Sequence, residues 1–426
     1  MRIKEELKES GYFWLPSVLE KKVPGILSIS DGGSIDLEIV ELLDGNMETL
    51  FNAGVDSLKR IVGYIEKGGF VTLDNCYYKS QDLTSVGLSK SSFRVDRVFT
   101  RVQYDEGEIP RFNTLTFSIE GIDEWVEISG IKVDYQQEKN IPTISYEFPP
   151  NFTVKLANGM KLLIIWKTSS KYVFREEARI SEKIYFRLVS QSARELDEFI
   201  SVVRKITEFL CFAMNKTVSL DSMSATSDDL FKEIEGDKPS PISIDIYYRS
   251  WPYAKNDPKI AWYDMLFKFK EIQNDAEKMI NDWIKSYEQY DSAFRLYFLA
   301  KTGDQMYLEE KFLTLVQGLE AYHQRVVRNM SLRNRIMKII EPFKDIIGTD
   351  ENRQKLIDSI MDTRNYLTHH NPSKKPRAAT GVNLWPLCMK MELLFDLHIL
   401  QLTGFSREKI DSIVDNCPEL KRKRNW

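Results

Sequence analysis

The segment from Asp362 to Pro372 brings together two side-chain types that can cleave RNA without a metal ion. It reads DTRNYLTHHNP and holds Arg364 and His369. Histidine titrates near neutral pH, so it can move protons when a ribose 2′-hydroxyl attacks the adjacent phosphorus. A fixed guanidinium can hold the negative charge that develops on the phosphorane. These two residues are therefore the first candidates for a catalytic site.

The helix that carries this pair decides whether its two side chains can meet. Residues five apart on an α-helix are rotated by roughly 140°, so Arg364 and His369 do not share a face of an ideal helix. Pro372 disfavours the α region for the residue before it, which predicts that a helix from about Asn352 ends near His369. At a helix end His369 could turn toward Arg364, and Asn365, four residues earlier, is a candidate to orient it.

Basic residues follow the pair and could hold RNA phosphates. Lys374, Lys375 and Arg377 come within eight residues of His369 and would bind phosphates regardless of base sequence. Residues 306–426 carry a net charge of +5, against −9 for the rest of a chain whose total is −4. A polyanion is therefore expected at the C-terminal part of the chain.

Two alternatives to this chemistry stay open. An arginine and a histidine near a helix end can simply cap its carbonyls and complement its dipole. A metal-dependent nuclease or other hydrolase is disfavoured, because the sequence shows neither an obvious carboxylate cluster nor a Cys/His spacing suited to zinc. We expect no metal and no cofactor.

Residues 1–255 are predicted to form a β-rich domain. The run Leu115–Ile119 alternates apolar and polar residues, as expected of a half-buried strand. Asp31-Gly32-Gly33 and Asn158-Gly159 each separate two strand-like runs, which predicts hairpins, because an Asn-Gly turn needs positive φ at both positions. This pattern favours a sandwich or a barrel-like domain.

The last part of this region is predicted to contain one helix and one long loop. Ser192 and Glu195 suit a capping box that opens a helix. The polar stretch from Asn215 to Ser240 indicates a surface loop, and Ile242–Tyr248 is expected to return to the β domain.

Residues 256–426 are predicted to form an α-helical bundle, which makes the fold class α+β and multidomain. One helix covers about Met306–Arg328, with apolar residues and His323 on a single face. His398 lies on another apolar face and is interpreted as a hydrogen-bonded core histidine. The tail Lys421–Arg424 is expected to be solvated.

The start of the chain and its cysteines indicate the cellular location. No long apolar run follows the first basic residues, and no stretch is long enough to cross a bilayer, so neither a signal peptide nor a membrane contact is expected. The four cysteines are scattered and are interpreted as reduced thiols of a cytoplasmic protein.

Three segments resemble one protein family. RNYLTHHNP resembles the R-x4–6-H motif of HEPN domains, which are small helical domains and commonly dimeric endoribonucleases. The stretch Phe312–His323, which ends in LEAYH, looks like the corresponding helix of the ApeA-like HEPN subgroup. The start GYFWLP at Gly11–Pro16, followed by Gly25–Leu27, is similar to the start of the ApeA N-terminal domain. The matches come in the right order and reach both ends of the chain.

This resemblance implies an anti-phage endoribonuclease of abortive infection. Its HEPN domain would form a homodimer and cleave RNA, with tRNA as the expected substrate. Its N-terminal domain would sense a phage-derived trigger. A HEPN domain used only for nucleotide or RNA binding, or for dimerisation, is the alternative.

The resemblance also assigns roles to residues. Arg364 and His369 match the motif, and Asn365 matches the polar residue after its arginine. Glu320 and His323 could line the cleft beside Arg364, with Glu320 holding the guanidinium, or they could be a half-buried polar pair. His370 stands where many relatives have an aromatic residue, so it either extends the site or is a bystander.

Overall fold

The structure is a computed structural model and describes residues 1–40, 43, 57–82, 90–136, 141–232, 239–256, 258–302, 306–369, 373 and 375–425. The chain forms two compact units. The first holds residues 1–123, 128–207 and 218–258, and the second holds residues 124–127, 208–217 and 259–426.

The first unit is built mainly from antiparallel strands. Its strands are β1 (Leu7–Trp14), β2 (Val23–Ser30), β3 (Ser34–Val40), β4 (Ser57–Ile65), β5 (Gly69–Asp82), β6 (Lys90–Thr100), β7 (Arg111–Ile119), β8 (Ile131–Gln136), β9 (Ile141–Tyr146), β10 (Phe152–Lys155), β11 (Lys161–Val173), β12 (Glu177–Glu195), β13 (Leu220–Thr226), β14 (Phe231–Lys232), β15 (Ser240–Pro241) and β16 (Ile244–Tyr248). Twelve of these form one sheet in the order β10-β11-β12-β7-β13-β16-β6-β3-β2-β1-β4-β5. Because β5 also pairs with β6, the last six strands close into a barrel.

Apolar side chains at alternate positions fill this barrel. Phe13, Leu27, Leu37 and Phe93 are fully buried or nearly so and belong to one apolar cluster. Strand residues alternate between the two faces of a sheet, so the residues between them point outward. The predicted β-rich, barrel-like fold is therefore confirmed.

Both predicted hairpins are present. β2 pairs with β3 across a turn in which Gly32 and Gly33 have φ of 89° and 74°. β10 pairs with β11 across Gly159, whose φ is 84°. L-residues with side chains rarely adopt these angles, which explains the glycines.

The predicted capping box at Ser192 is wrong. Strand β12 continues to Glu195, which lies opposite Arg111 of β7 and forms an ion pair with it at 3.0 Å. The helix begins only at Leu196. Pairing with β7 supplies the backbone partners that the capping pattern would otherwise provide. This pairing depends on Arg111, 84 residues earlier in the sequence.

The predicted loop between Asn215 and Ser240 is also wrong over part of its length. Strand β13 lies inside the sheet, between β7 and β16. Its Leu220, Met223 and Ala225 are buried, whereas serines occupy positions between them. The serines made the segment resemble a loop, because the face of the sheet that they occupy is polar.

The second unit is helical, with short helices at its margins. The helices of the chain are α1 (Ile122–Val126), α2 (Leu196–Ala213), α3 (Phe269–Ile272), α4 (Ala276–Gln289), α5 (Asp291–Thr302), α6 (Leu308–Gln324), α7 (Leu332–Ile340), α8 (Lys344–Ile347), α9 (Asp350–His369), α10 (Leu384–Leu402), α11 (Arg407–Asn416) and α12 (Pro418–Asn425), with 3-10 turns at Glu341–Phe343 and Gly381–Asn383. Helix α10 is buried along almost every side from Met391 to Leu400. It therefore forms the centre of the bundle, and the predicted helical fold of this region is confirmed.

A buried cluster of charges holds the C-terminal helix in the bundle. Lys423 of α12 is fully buried, and its Nζ atom lies 2.7 Å from Asp396, 3.2 Å from Glu392 and 3.1 Å from Glu419. The hydroxyl of Tyr297 donates to the other oxygen of Asp396 at 2.6 Å. The predicted solvated tail is therefore wrong at Lys423, because three carboxylates replace its water.

His398 is the hydrogen-bonded core histidine that its position predicts. Its Nε2 atom donates to the carbonyl of Ile339 at 2.7 Å, and Nδ1 lies 3.2 Å from the hydroxyl of Tyr322. Burial lowers the pKa of His398 from 6.5 to about 4, so the ring is neutral at pH 7.

We expect His398 to make the protein less stable in mild acid. Its folded pKa lies below its unfolded value, so its contribution is fully present above pH 6.5 and is lost as the pH falls toward about 4. The loss should reach roughly 3 kcal/mol in the free energy of unfolding. His398→Gln keeps a donor and an acceptor without titrating, so its urea midpoint should vary less between pH 6.5 and 4. Equal slopes for both proteins would contradict this assignment.

Candidate active site

Helix α9 carries the R-x4-H motif in its last turns. Arg364 and Asn365 are half-buried, and His369 is exposed at the last helical position. The guanidinium of Arg364 donates to Oδ1 of Asn365 at 3.3 Å. Asn365 thus contacts the arginine, whereas its predicted partner was the histidine. Helix α9 extends to His369, and the predicted helix end before Pro372 involves residues 370–372, which lie outside the described residues.

Helix α9 is stabilised by its acidic first turn and by one buried apolar face. Its first turn contains Asp350 and Glu351, whose charges favour a helix N-terminus. Leu356, Ile357 and Ile360 bury one face against the bundle. The motif is therefore mounted on a packed helix rather than on a loop.

The spacing of the motif keeps its two side chains apart within one chain. Five helical residues correspond to a rotation of roughly 140° and a rise of about 7.5 Å. No hydrogen bond joins Arg364 to His369, two residues that the structure describes. The two side chains therefore leave the helix in different directions on an ideal helix and make no hydrogen bond to each other in the described residues.

A buried threonine fixes the loop that follows the motif. The backbone N–H of Ala379 donates to Oγ1 of Thr363 at 2.9 Å, and Thr363 is fully buried. This bond holds the loop beside the last turns of α9, next to Arg364. Lys375 and Arg377 are exposed on this loop. His370 and Lys374 lie outside the described residues.

The sequence analysis missed Thr363. The signal that could have identified it is its position, one residue before the motif arginine on the buried side of an amphipathic helix. Nothing local indicated that its hydroxyl would bind a backbone amide 16 residues later.

Helix α6 carries the LEAYH segment, and its two polar residues differ in environment. Glu320 is half-buried, whereas His323 is buried. Nδ1 of His323 accepts from Nη1 of Arg335 at 3.4 Å. Burial lowers the pKa of His323, and the cations of Arg335 and Lys338 lower it further. His323 is therefore a neutral acceptor beside Arg335, and its described contact is not with Arg364.

Arg335 is a second residue that the sequence analysis missed. It is 3% exposed, and its guanidinium donates to the carbonyls of Val327, Arg328 and Met330 at 2.7, 2.6 and 3.1 Å. These bonds close the turn between α6 and α7. His323 and Arg335 together therefore position the end of the LEAYH helix.

The described residues bear on two other kinds of site, a metal centre and a membrane span. In the described ranges, no group of three or more His, Cys, Asp or Glu side chains is placed to hold a metal ion. Within the same ranges, no helix is both long enough and apolar enough to span a bilayer.

Comparisons with known proteins identify both parts of the chain. The family model for the ApeA N-terminal domain 1 matches residues 8–283, which is more than half of the chain. The model for the Apea-like HEPN domain matches residues 313–409, a range that contains most of α6, all of α9 and the loop after α9. No curated protein matches the sequence. The chain therefore belongs to the ApeA-like HEPN family, whose domains indicate a nuclease-like protein of anti-phage defence.

Proposed function

We propose that the protein is a metal-independent endoribonuclease that cleaves RNA, with tRNA as the expected substrate, in the cytoplasm of phage-infected cells. The observation that carries this proposal is the end of α9. There a half-buried Arg364, held by Asn365, and an exposed His369 lie beside a basic loop tied to Thr363. Membership of a HEPN family supports the same function.

The proposed reaction needs only proton transfer and charge stabilisation. The ribose 2′-oxygen attacks the adjacent phosphorus while a histidine accepts its proton. The guanidinium of Arg364 stabilises the added charge on the phosphorane. The bond to the 5′-oxygen then breaks, and a protonated histidine donates a proton to this leaving group. The products are a 2′,3′-cyclic phosphate and a 5′-hydroxyl.

We further propose that two chains complete the site. The reaction moves one proton away from the 2′-oxygen and another onto the 5′-oxygen, so two histidines serve it better than one. On an ideal helix, Arg364 and His369 of one chain lie roughly 140° apart. Two copies of α9 facing each other in a homodimer would surround one phosphate with both motifs. A strict monomer at micromolar concentration would count against this arrangement.

The two parts of the chain would then have different tasks. We propose that the HEPN region, residues 256–426, cleaves RNA. We propose that the β-rich region, residues 1–255, regulates the nuclease and senses a phage-derived trigger. Glu320 and His370 remain candidates to support the site.

Analysis of the product ends tests the reaction class. Purified full-length protein is incubated with total tRNA in excess chelator, and the ends are examined by phosphatase and kinase treatment. We expect 2′,3′-cyclic phosphate and 5′-hydroxyl ends. Cleavage that requires a divalent cation and leaves 5′-phosphates would indicate a metal-dependent nuclease instead. Tight RNA binding without any cleavage would favour the non-catalytic alternative.

The basic loop makes a separate prediction about RNA affinity. If Lys375 and Arg377 each contact one phosphate, each alanine variant should reduce the slope of log K against log salt concentration by about 1. Filter binding or fluorescence anisotropy in an Arg364→Ala background would measure the slope without cleavage. Lys355→Ala, on the exposed part of α9 and paired with Glu351 at 2.7 Å, is the control and should leave the slope unchanged. Unchanged slopes for Lys375→Ala and Arg377→Ala would remove this loop from the RNA interface.

A further inference from the structure

One face of the sheet in the first unit carries polar and charged side chains on four neighbouring strands. Side chains from neighbouring strands line up across it in register. The row consists of Arg187 of β12, Thr116 of β7, Ser224 of β13 and Asp245 of β16. The opposite face carries Phe117, Phe186 and Met223 and is buried. The polar face is thus a continuous surface across four strands.

Positive charges are concentrated at one edge of this face. Lys167 of β11 lies directly opposite Lys183 of β12. Both ammonium groups approach the ring of Tyr185, at 4.5 and 5.5 Å from its centroid. Lys183 forms an ion pair with Asp221, whereas Lys167 has no carboxylate within ion-pair distance among the described residues. Like charges directly opposite each other destabilise a sheet, so this arrangement has a cost in the empty protein.

The pKa of Lys167 is lowered, as expected where partial burial and nearby positive charges act together. Partial withdrawal from water lowers the pKa of Lys167, and the nearby Arg187 lowers it further, against a smaller opposing effect of Asp245. Arg187 donates to the hydroxyl of Thr116 at 3.1 Å and has no ion pair with a described carboxylate. An anion beside Lys167 would favour the charged form of this lysine.

This face forms the wall of a cavity of about 580 Å³, which the segment Met1–Leu7 lines from another side. Arg101 also lines it and has a φ of 64°, in the left-handed region that side-chain-bearing residues rarely adopt. Its guanidinium donates to the carbonyl of Ser243 at 2.6 Å and pairs with Asp245 at 2.7 Å. Strained residues of this kind cluster at ligand sites.

We propose that this cavity binds a small phosphate-bearing ligand of about mononucleotide size. Its volume lies in the range of small-molecule sites. Lys167 and Lys183 would hold the phosphates, and Asp221 and Asp245 would accept hydrogen bonds from hydroxyl or amino groups. The same carboxylates would repel a continuous polyanion, so the face fits a small ligand better than RNA.

Calorimetric titration of the full-length protein tests this proposal. The probes are inorganic pyrophosphate and adenosine triphosphate, each at constant ionic strength, so that a phosphate site is distinguished from a nucleotide site. We expect saturable binding of at least one probe, weakened by about tenfold or more in Lys167→Gln. Lys161→Gln is the matched control, because Lys161 lies on the same strand about 20 Å away. It should bind as the wild type does.

The unliganded variants provide a second readout. Lys167→Gln should melt at a higher temperature than the wild type because it removes the opposed like charges, whereas Lys161→Gln should not. Absence of saturable binding to the wild type, or equal weakening in both variants, would overturn the proposal. Displacement of bound pyrophosphate from the wild type by an RNA oligonucleotide would also overturn it and assign the face to RNA.

Discussion

Replacement of Arg364 by alanine is expected to lower the rate constant for RNA cleavage by about 10²–10³-fold. The guanidinium is half-buried and fixed by Asn365, so its charge needs little reorganisation as the phosphorane forms. His369→Ala should lower the rate by about 10²–10⁴-fold, because it removes the proton-transfer group. Single-turnover cleavage of labelled tRNA at saturating protein measures both effects without contributions from binding or product release.

Two further variants separate catalysis from damage to the fold. Arg364→Lys retains a positive charge but loses the planar pair of donors, so it should recover only part of the rate. Arg295→Ala removes an exposed arginine from α5 that pairs with Asp291 at 3.0 Å, and it should cleave at the wild-type rate. A comparable fall in the cleavage rate of Arg295→Ala would show that removing any arginine from this unit reduces activity, so the effect of Arg364→Ala would not be specific to the site.

The Arg364→Ala chain also tests whether two chains share one site. Wild-type and variant chains are mixed in different ratios at constant total concentration and allowed to exchange. If both motifs of a dimer serve one site, activity should fall as the square of the wild-type fraction. A linear dependence would mean that each chain cleaves RNA independently.

Replacement of Lys423 by methionine is expected to destabilise the helical unit by about 3–5 kcal/mol. The substitution leaves the buried carboxylates of Asp396 and Glu392 without their shared cation, although it keeps most of the side-chain volume. The presence of Lys423 lowers the pKa of Asp396 despite its burial, so both groups are charged in the native protein. The urea midpoint of the unfolding transition measures the loss.

The control for this experiment lies two residues earlier on the same helix. Lys421 is exposed, and Lys421→Met should leave the midpoint nearly unchanged. Addition of Asp396→Asn to Lys423→Met should restore part of the stability, because it removes one of the uncompensated charges. A midpoint for Lys423→Met equal to that of the wild type would mean that the buried cluster does not hold α12 in place.

Features that depend on residues close together in the sequence could be predicted. Asn158-Gly159 indicated a hairpin because its turn needs positive φ, and Pro372 indicated the end of α9 because it restricts the residue before it. His398 was interpretable as a core histidine from the apolar residues at helical spacing around it. The motif and the LEAYH helix indicated the family, as the comparisons confirm.

Features that depend on partners distant in the sequence could not be predicted. Lys423 looked like part of a solvated tail, because the carboxylates that bury it lie on α10 and at the start of α12. Strand β13 looked like a loop, because its serines belong to a polar sheet face formed by other strands. The roles of Thr363 and Arg335 likewise depend on loop backbone atoms that no local pattern identifies.

The central claim is that Arg364 and His369 form a metal-independent ribonuclease site. Its most direct test is the cleavage of tRNA in excess chelator by the wild type, Arg364→Ala and His369→Ala, measured side by side. We expect rapid cleavage by the wild type and almost none by either variant, with all three proteins melting at similar temperatures. Cleavage that persists at the wild-type rate in both variants would contradict it.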